Sequence, residues 1–167
     1  MAQRHGTNPW IDSFSRRMDE ELGNEDRWTL NFNYKLENDL NESQRKEGWK
    51  IYITSSFGRF NCSCSNSWTS AHVVILFHYR LRDRRGLVLL RLFRQQCRDC
   101  YNPYQHKPTI RQKEMQKVFD RFILKIRKNC YMETVTLTER KLQYRKTKPH
   151  QTSLCEACAL GMCCFSD

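Results

Sequence analysis

The chain has no long hydrophobic run. Its longest uninterrupted apolar stretch is Val73–Phe77, far short of the roughly 18 consecutive apolar residues that mark a membrane-spanning helix. It also lacks an apolar signal segment, since Met1–Asn8 is polar and charged, so a reducing, non-secretory compartment is expected and with it free thiols rather than disulfides. The sequons at Asn41 and Asn61 are then expected to stay unmodified. Catalytic signatures are missing too: none of the five histidines is followed two positions later by glutamate, and there is no P-loop, G-x-S-x-G or H-E-x-x-H, which excludes the common nucleotide, serine-hydrolase and metalloprotease chemistries. Catalysis is not expected. Apolar residues are scarce as well, at 39% of 167 residues with a mean hydropathy of -0.80. Such a chain has room for one ordinary domain and only a lean core.

Cysteine and positive charge are present in quantity. The nine cysteines include three close pairs, Cys62-Ser63-Cys64, Cys97-Arg98-Asp99-Cys100 and Cys155-Glu156-Ala157-Cys158, with Cys163 five residues after the last. That is metal-ligand spacing. Between the first two pairs lie the apolar runs His72–Tyr79 and Leu87–Phe93, separated by a turn through Arg82–Gly86. These read as the strands of a hairpin, which returns Cys97 and Cys100 to the side of Cys62 and Cys64 and offers four thiolates to one tetrahedral zinc ion. Cys155, Cys158 and Cys163 supply three further ligands, with His150, Cys130 or a cysteine of another pair as the fourth, so that one or two zinc ions are bound. Cys130 also continues the apolar stripe of a helix and reads equally well as a buried thiol. His72 and His78 read as strand histidines rather than ligands. A redox role for Cys97-x-x-Cys100 is disfavoured, because Pro103 and Pro108 follow where that chemistry needs a helix.

The remaining elements are read from periodicity. Asn8-Pro9 is a helix start, and Trp10, Ile11, Phe14, Met18 and Leu22 form one face of a helix over 9–22. Trp28–Tyr34 and Trp49–Ile53 alternate as strands do. Met115, Val118, Phe119, Phe122, Ile123, Ile126 and Cys130 form a second amphipathic helix, with Lys113, Lys117, Arg121, Lys125 and Lys128 on the opposite, solvent-facing side. The fold class is thus α+β: a zinc-stabilised antiparallel β-sheet with an N-terminal and a C-terminal amphipathic helix. The organisation is a helical segment over 1–26 that shares a single core with a zinc-binding domain over 27–164.

The net charge of +11 is uneven. Residues 1–50 hold 8 Lys and Arg against 10 Asp and Glu, and residues 51–167 hold 21 against 8. A basic field of this size attracts nucleic acid, anionic membrane surfaces or acidic protein segments. Arg80, Arg82, Arg84 and Arg85 cluster at the hairpin turn, and Trp68, Tyr79 and Tyr101 are candidate base-stacking residues. An RNA-binding zinc-finger protein, of the kind used in antiviral defence, is therefore the alternative reading.

Order, wording and spacing together resemble a known family. Trp28-Thr29-Leu30, Gly48-Trp49-Lys50, Phe57–Cys62, Ser67–Ala71, Val74–His78, Leu90–Cys100 and the segment from Pro149-His150 through Cys155–Cys163 resemble the receptor-transporting proteins over about Trp10–Cys163. The resemblance implies a zinc-binding domain of three CxxC pairs. It also implies an accessory protein that binds G-protein-coupled receptors of the olfactory or taste type and promotes their trafficking to and insertion in the plasma membrane. The first pair here departs from the pattern by one residue, which implies a strained site or one displaced thiol. Members of this family commonly carry a C-terminal membrane anchor. A short form without one is expected here, located in the cytoplasm at the periphery of the endoplasmic reticulum or plasma membrane, and held there by its basic surface or by acylation of Cys164.

Overall fold

The computed structural model describes residues 8–23, 26–100, 104–134 and 150–163. Helix α1 (Pro9–Leu22) begins where the Asn8 side chain accepts a hydrogen bond from the Trp10 amide at 2.9 Å and proline occupies the first turn. Strand β1 (Arg27–Phe32) follows, then a short helix α2 (Glu42–Lys46) closed by a reciprocal Asn41–Gln44 capping box. Strands β2 (Lys50–Asn61), β3 (Ser67–Arg82) and β4 (Arg85–Leu92) form a meander. A two-stranded ribbon of β5 (Gln95–Gln96) and β6 (Gln105–His106) precedes the long helix α3 (Gln112–Cys130). After the 3₁₀ turn Thr152–Leu154 comes α4 (Glu156–Ala159).

The main sheet has the order β1-β4-β3-β2. Its β2–β3 and β3–β4 pairs are antiparallel, as the hairpin reading expects, whereas β1 joins the outer edge of β4 in parallel. The reason lies in the connection. β1 and β2 run in the same direction at opposite edges, so the chain between them must cross a face of the sheet rather than turn back in a hairpin. Residues 33–49 make that crossing, burying Leu36 and Leu40 and anchoring through two main-chain acceptors. Arg91 Nη1 donates to the Leu36 carbonyl at 2.7 Å, and His78 Nε2 donates to that of Glu37 at 2.8 Å.

Both faces of the central strand are covered. Seven consecutive residues, Val73–Tyr79, are buried, the pattern of a strand with packing on each side. On one face, Ile75, Phe77 and Tyr79 meet α1 and α3. Phe122 is central there, stacked on Phe77 with centroids 4.0 Å apart and edge-on to Tyr79. Phe14 of α1 packs on Phe119 and Phe122. On the other face, Val74, Leu76 and Phe93 pack with Leu36 and with Cys155, Ala157, Met162 and Cys163 of the C-terminal segment.

The basic side of α3 differs from its expected solvent-facing role at Arg121. That guanidinium folds onto β2, donating to Thr54 Oγ1 at 3.0 Å and to the Ser55 carbonyl at 3.0 Å. Burying the stem and satisfying an edge-strand carbonyl gains more than leaving the group in water, and it also blunts the edge of the sheet. Lys125 lies over the Tyr52 ring. Lys113 and Lys128 remain exposed.

Candidate metal centre

The first thiol group forms where two turns meet. Between β2 and β3 the loop Cys62–Asn66 is closed by the Cys62 amide donating to the Asn66 carbonyl at 2.8 Å and the Ser65 amide donating to the Cys62 carbonyl at 3.1 Å. Ser65 takes a left-handed φ of 70°. Cys97 follows β5 directly, and Cys100 comes three residues later. The Sγ atoms of Cys62, Cys64, Cys97 and Cys100 all lie within 4.8 Å of one another, with Cys62–Cys100 and Cys64–Cys97 both at 3.6 Å. A tetrahedral zinc with bonds of about 2.3 Å to sulfur requires S···S edges of about 3.8 Å. The donor set and spacing fit that ion. The shortened first pair therefore displaces neither thiol, and the left-handed Ser65 turns the chain in place of the missing residue.

The thiols are electrostatically interdependent. Burial pushes the Cys97 thiol up, but hydrogen bonds from the Asn66 side chain, at 3.4 Å, from the Asp99 backbone, from Cys64 and from the Cys100 backbone outweigh it and bring the group down to about 6. Cys64 moves oppositely, to about 12: the Asn66 backbone favours its thiolate, but the adjacent Cys62 and Cys97 sulfurs and burial oppose it. Four sulfurs this close cannot all ionise without a cation among them.

The second group is built on the C-terminal segment. Cys155 caps α4, Cys158 lies within it, and Gly161, at φ 68°, reverses the chain so that Met162 N–H reaches the Ala157 carbonyl at 2.8 Å and Cys163 returns. His150 Nε2 stands 3.2 Å from Cys158 Sγ and 3.5 Å from Cys163 Sγ. These three and Cys155 again place one ligand atom each within 4.8 Å. Bonds of about 2.0 Å to nitrogen and 2.3 Å to sulfur imply N···S edges of about 3.5 Å, so this set also fits zinc. Burial lowers the affinity of His150 for protons, keeping the ring neutral as a ligand must be. Burial and the neighbouring Cys163 and Cys155 push Cys158 up to about 12.

Of the three alternatives for the fourth position, His150 belongs to this group, whereas Cys130 does not and the cysteines of the other pairs form the first group. Cys130 lies half-buried at the end of α3 against the helix-side core, where burial pushes its thiol up. His78 is held by its carbonyl partner, and His72 packs edge-on to His150 at 5.1 Å. Two of the proposed base-stacking residues are otherwise engaged: Tyr79 is 1% exposed and accepts from Asn129 at 2.7 Å, and Trp68 stacks on Phe60 and donates to Gln95. Tyr101 and Cys164 fall outside the described residues.

One five-residue segment, Phe93–Cys97, touches both groups. Phe93 packs beside Cys155 and Cys163. The Glu156 amide donates to the Arg94 carbonyl at 3.1 Å, Glu156 Oε2 accepts from the Arg94 amide at 2.8 Å, and Gln95 forms a bridge with Cys155. Two residues on, Cys97 belongs to the first group. Glu156 also pairs with Arg91. Sequence periodicity does not reveal this latch, although an arginine inside the apolar run Leu87–Phe93 is the visible sign that a partly buried acid awaits it.

The comparisons agree with this geometry. A family profile described as a zinc-binding domain, of the three-CxxC ribbon type, matches residues 55–161. Mouse receptor-transporting protein 2 is 32% identical over 93% of this chain and 70% of its own length. The chain belongs to the receptor-transporting protein family. Mouse receptor-transporting protein 3 is 32% identical over 96% of the chain but only 34% of its own length, and human receptor-transporting protein 4 is 32% identical over 81% and 56%. This family member thus spans about a third of the first of these relatives and somewhat over half of the other. No solved structure matches the chain. No helix among the described residues is long and apolar enough to cross a membrane.

Proposed function

We propose that the chain is a non-enzymatic binding protein that escorts G-protein-coupled receptors, of the olfactory or taste type, toward the plasma membrane. Membership of the receptor-transporting protein family, at 32% identity to a relative of which it covers 70%, carries this reading. The working unit is a single zinc-binding domain over residues 27–164, with the helical segment 1–26 completing its core and two zinc ions holding its turns. One ion is held by Cys62, Cys64, Cys97 and Cys100, the other by His150, Cys155, Cys158 and Cys163. Bound zinc supplies cross-linking and charge neutralisation to the thiolates; the surface of the sheet and helices does the binding. The protein acts on the cytoplasmic side of the endoplasmic reticulum or plasma membrane.

The deciding experiment is surface staining of a panel of tagged olfactory and taste receptors expressed with and without the chain. Increased surface signal for some receptors, lost in Cys97→Ser, is expected. No increase for any receptor, with the chain present and zinc-loaded, defeats the reading.

A further inference from the structure

Strand register lines up three arginines at one end of the main sheet. Arg27 of β1 pairs with Arg85 of β4, and Arg85 pairs with Arg82 of β3. Residues directly opposite on neighbouring strands share a face, about 5 Å apart. That face is the one away from α1 and α3. The next row, Trp28, Gly86 and Leu81, faces the helices, where the Trp28 indole lies so close over Gly86 that a Cβ there would sit 1.9 Å from the ring. All three arginines are exposed.

Like charges directly opposite destabilise a sheet, and here three stand in a row. Among the described residues, the one ion pair of the row joins Arg82 Nε to Asp83 Oδ2 at 3.8 Å, with side chains 60% and 90% exposed. Glu42 and Glu47 border Arg82 across a shallow cleft, but they pair with Lys46 at 3.1 Å and Arg80 at 3.3 Å. Asp26 accepts from Tyr131 at 2.8 Å. Arg84 adds a fourth guanidinium at the turn itself, where Asp83 and Arg84 have φ of 51° and 62°. A two-residue turn of this kind prefers Asn-Gly, so turn geometry is not what selects arginine at the tip.

Apolar groups accompany the charge. Thr29, half-buried Leu87 and Arg80 form the next row on the same face, with Leu87 between the other two. Met132, 85% exposed, lies at the same end of the molecule, because Tyr131 accepts from Trp28 Nε1 at 3.0 Å and donates to Asp26. Trp49, an aromatic near these rows, is covered by the Arg80 guanidinium at 4.8 Å. A cationic row backed by aliphatic groups, without an open aromatic platform, suits lipid headgroups better than single-stranded nucleic acid.

We infer that this end of the sheet is a docking surface for an anionic lipid bilayer. Arg27, Arg82, Arg84 and Arg85 engage headgroup phosphates and carboxylates, and Met132 enters the interfacial layer. The inference is independent of the receptor reading and of zinc occupancy.

The test is co-sedimentation of the full zinc-loaded chain with phosphatidylcholine vesicles, with and without phosphatidylserine, at low and high salt, alongside binding to poly(U) RNA. Binding is expected only with phosphatidylserine and is expected to weaken as salt rises. Each arginine is worth about fivefold, so the triple variant Arg27→Gln, Arg82→Gln, Arg85→Gln should lose on the order of a hundredfold. Lys113→Gln, on the exposed side of α3, should lose less than any single ladder variant. Because the row is self-repulsive, the triple variant should also melt at a higher temperature than the parent, which separates lost binding from lost folding. Equal binding to neutral vesicles, full binding by the folded triple variant, or capture of poly(U) with no vesicle binding would overturn the proposal.

Discussion

The Arg91 guanidinium pairs with the Glu156 carboxylate on the face of the sheet opposite α3, with the two side chains 10% and 22% exposed. The carboxylate also takes the Arg94 amide, and the guanidinium takes the Leu36 carbonyl. One acid thereby ties the C-terminal segment to β4 and, through Arg91, to the crossing chain between β1 and β2.

Removing one partner of such a pair leaves a poorly solvated charge, at a cost of about 3 kcal/mol for a pair with this residual exposure. Glu156→Ala should lower the urea midpoint by a corresponding amount and open the C-terminal segment to protease. Glu133→Ala, at an exposed pair with Arg127, should shift it by less than about 0.5 kcal/mol. Similar shifts for the two variants would show that the latch is not structural.

Metal analysis should return two zinc ions per chain. Cys97→Ser and Cys158→Ser should each remove one, and Cys130→Ser should retain both. Chelation should unfold the protein cooperatively, since structural zinc contributes on the order of 10 kcal/mol of apparent binding free energy in small zinc domains. A stoichiometry of one, or zinc loss in Cys130→Ser, would redraw the ligand sets.

Both Cys62 and Cys64 reach the first group, so Cys62→Ser and Cys64→Ser should be equally damaging to zinc retention. The left-handed backbone at Ser65 costs an L-residue roughly 1 kcal/mol that glycine avoids. Ser65→Gly should therefore raise the melting temperature and slow zinc release to a chelator. Faster release would mean that the serine side chain contributes more than its backbone strain takes away.

Burial lowers the pKa of His78, against the opposing effect of its hydrogen bond to the Glu37 carbonyl. The ring is neutral in the fold and takes up a proton more readily once unfolded. Its contribution to stability is fully present above the unfolded value of about 6.5 and is lost as pH falls through the lower folded value. Urea titrations across this range should show falling stability toward acid, and His78→Gln should flatten part of that slope. An unchanged slope would assign the acid sensitivity to other groups, the metal ligands foremost.

Much of this architecture is legible in the sequence. Asn8-Pro9 and the Trp10–Leu22 stripe locate α1, and the two apolar runs locate the hairpin that gathers Cys62, Cys64, Cys97 and Cys100. Strand order is less accessible. Alternation over Trp28–Tyr34 announces a strand but not its neighbour, so the parallel pairing with β4 depends on a crossing segment whose only buried apolar residues are Leu36 and Leu40. The unbroken burial of Val73–Tyr79 does carry a signal, since a strand covered on one face would alternate. Arg121 misleads periodicity because its long stem lets a residue on the polar side of α3 reach back to β2. The choice of His150 over Cys130 rests on a reversal at Gly161 and a docking contact at Arg94, neither of which ligand spacing encodes.

Arg17 of α1 bonds to Gln116 of α3, 99 residues further along the chain, and β1 waits for β4, its only strand partner among the described residues. During synthesis, Trp10, Phe14 and Met18 therefore emerge with only β1 close behind to pack on them, and their cover is completed when α3 follows. The nascent N-terminal half carries an apolar stripe only partly covered until α3 leaves the ribosome, which makes the stretch of synthesis before α3 the one most exposed to non-native association.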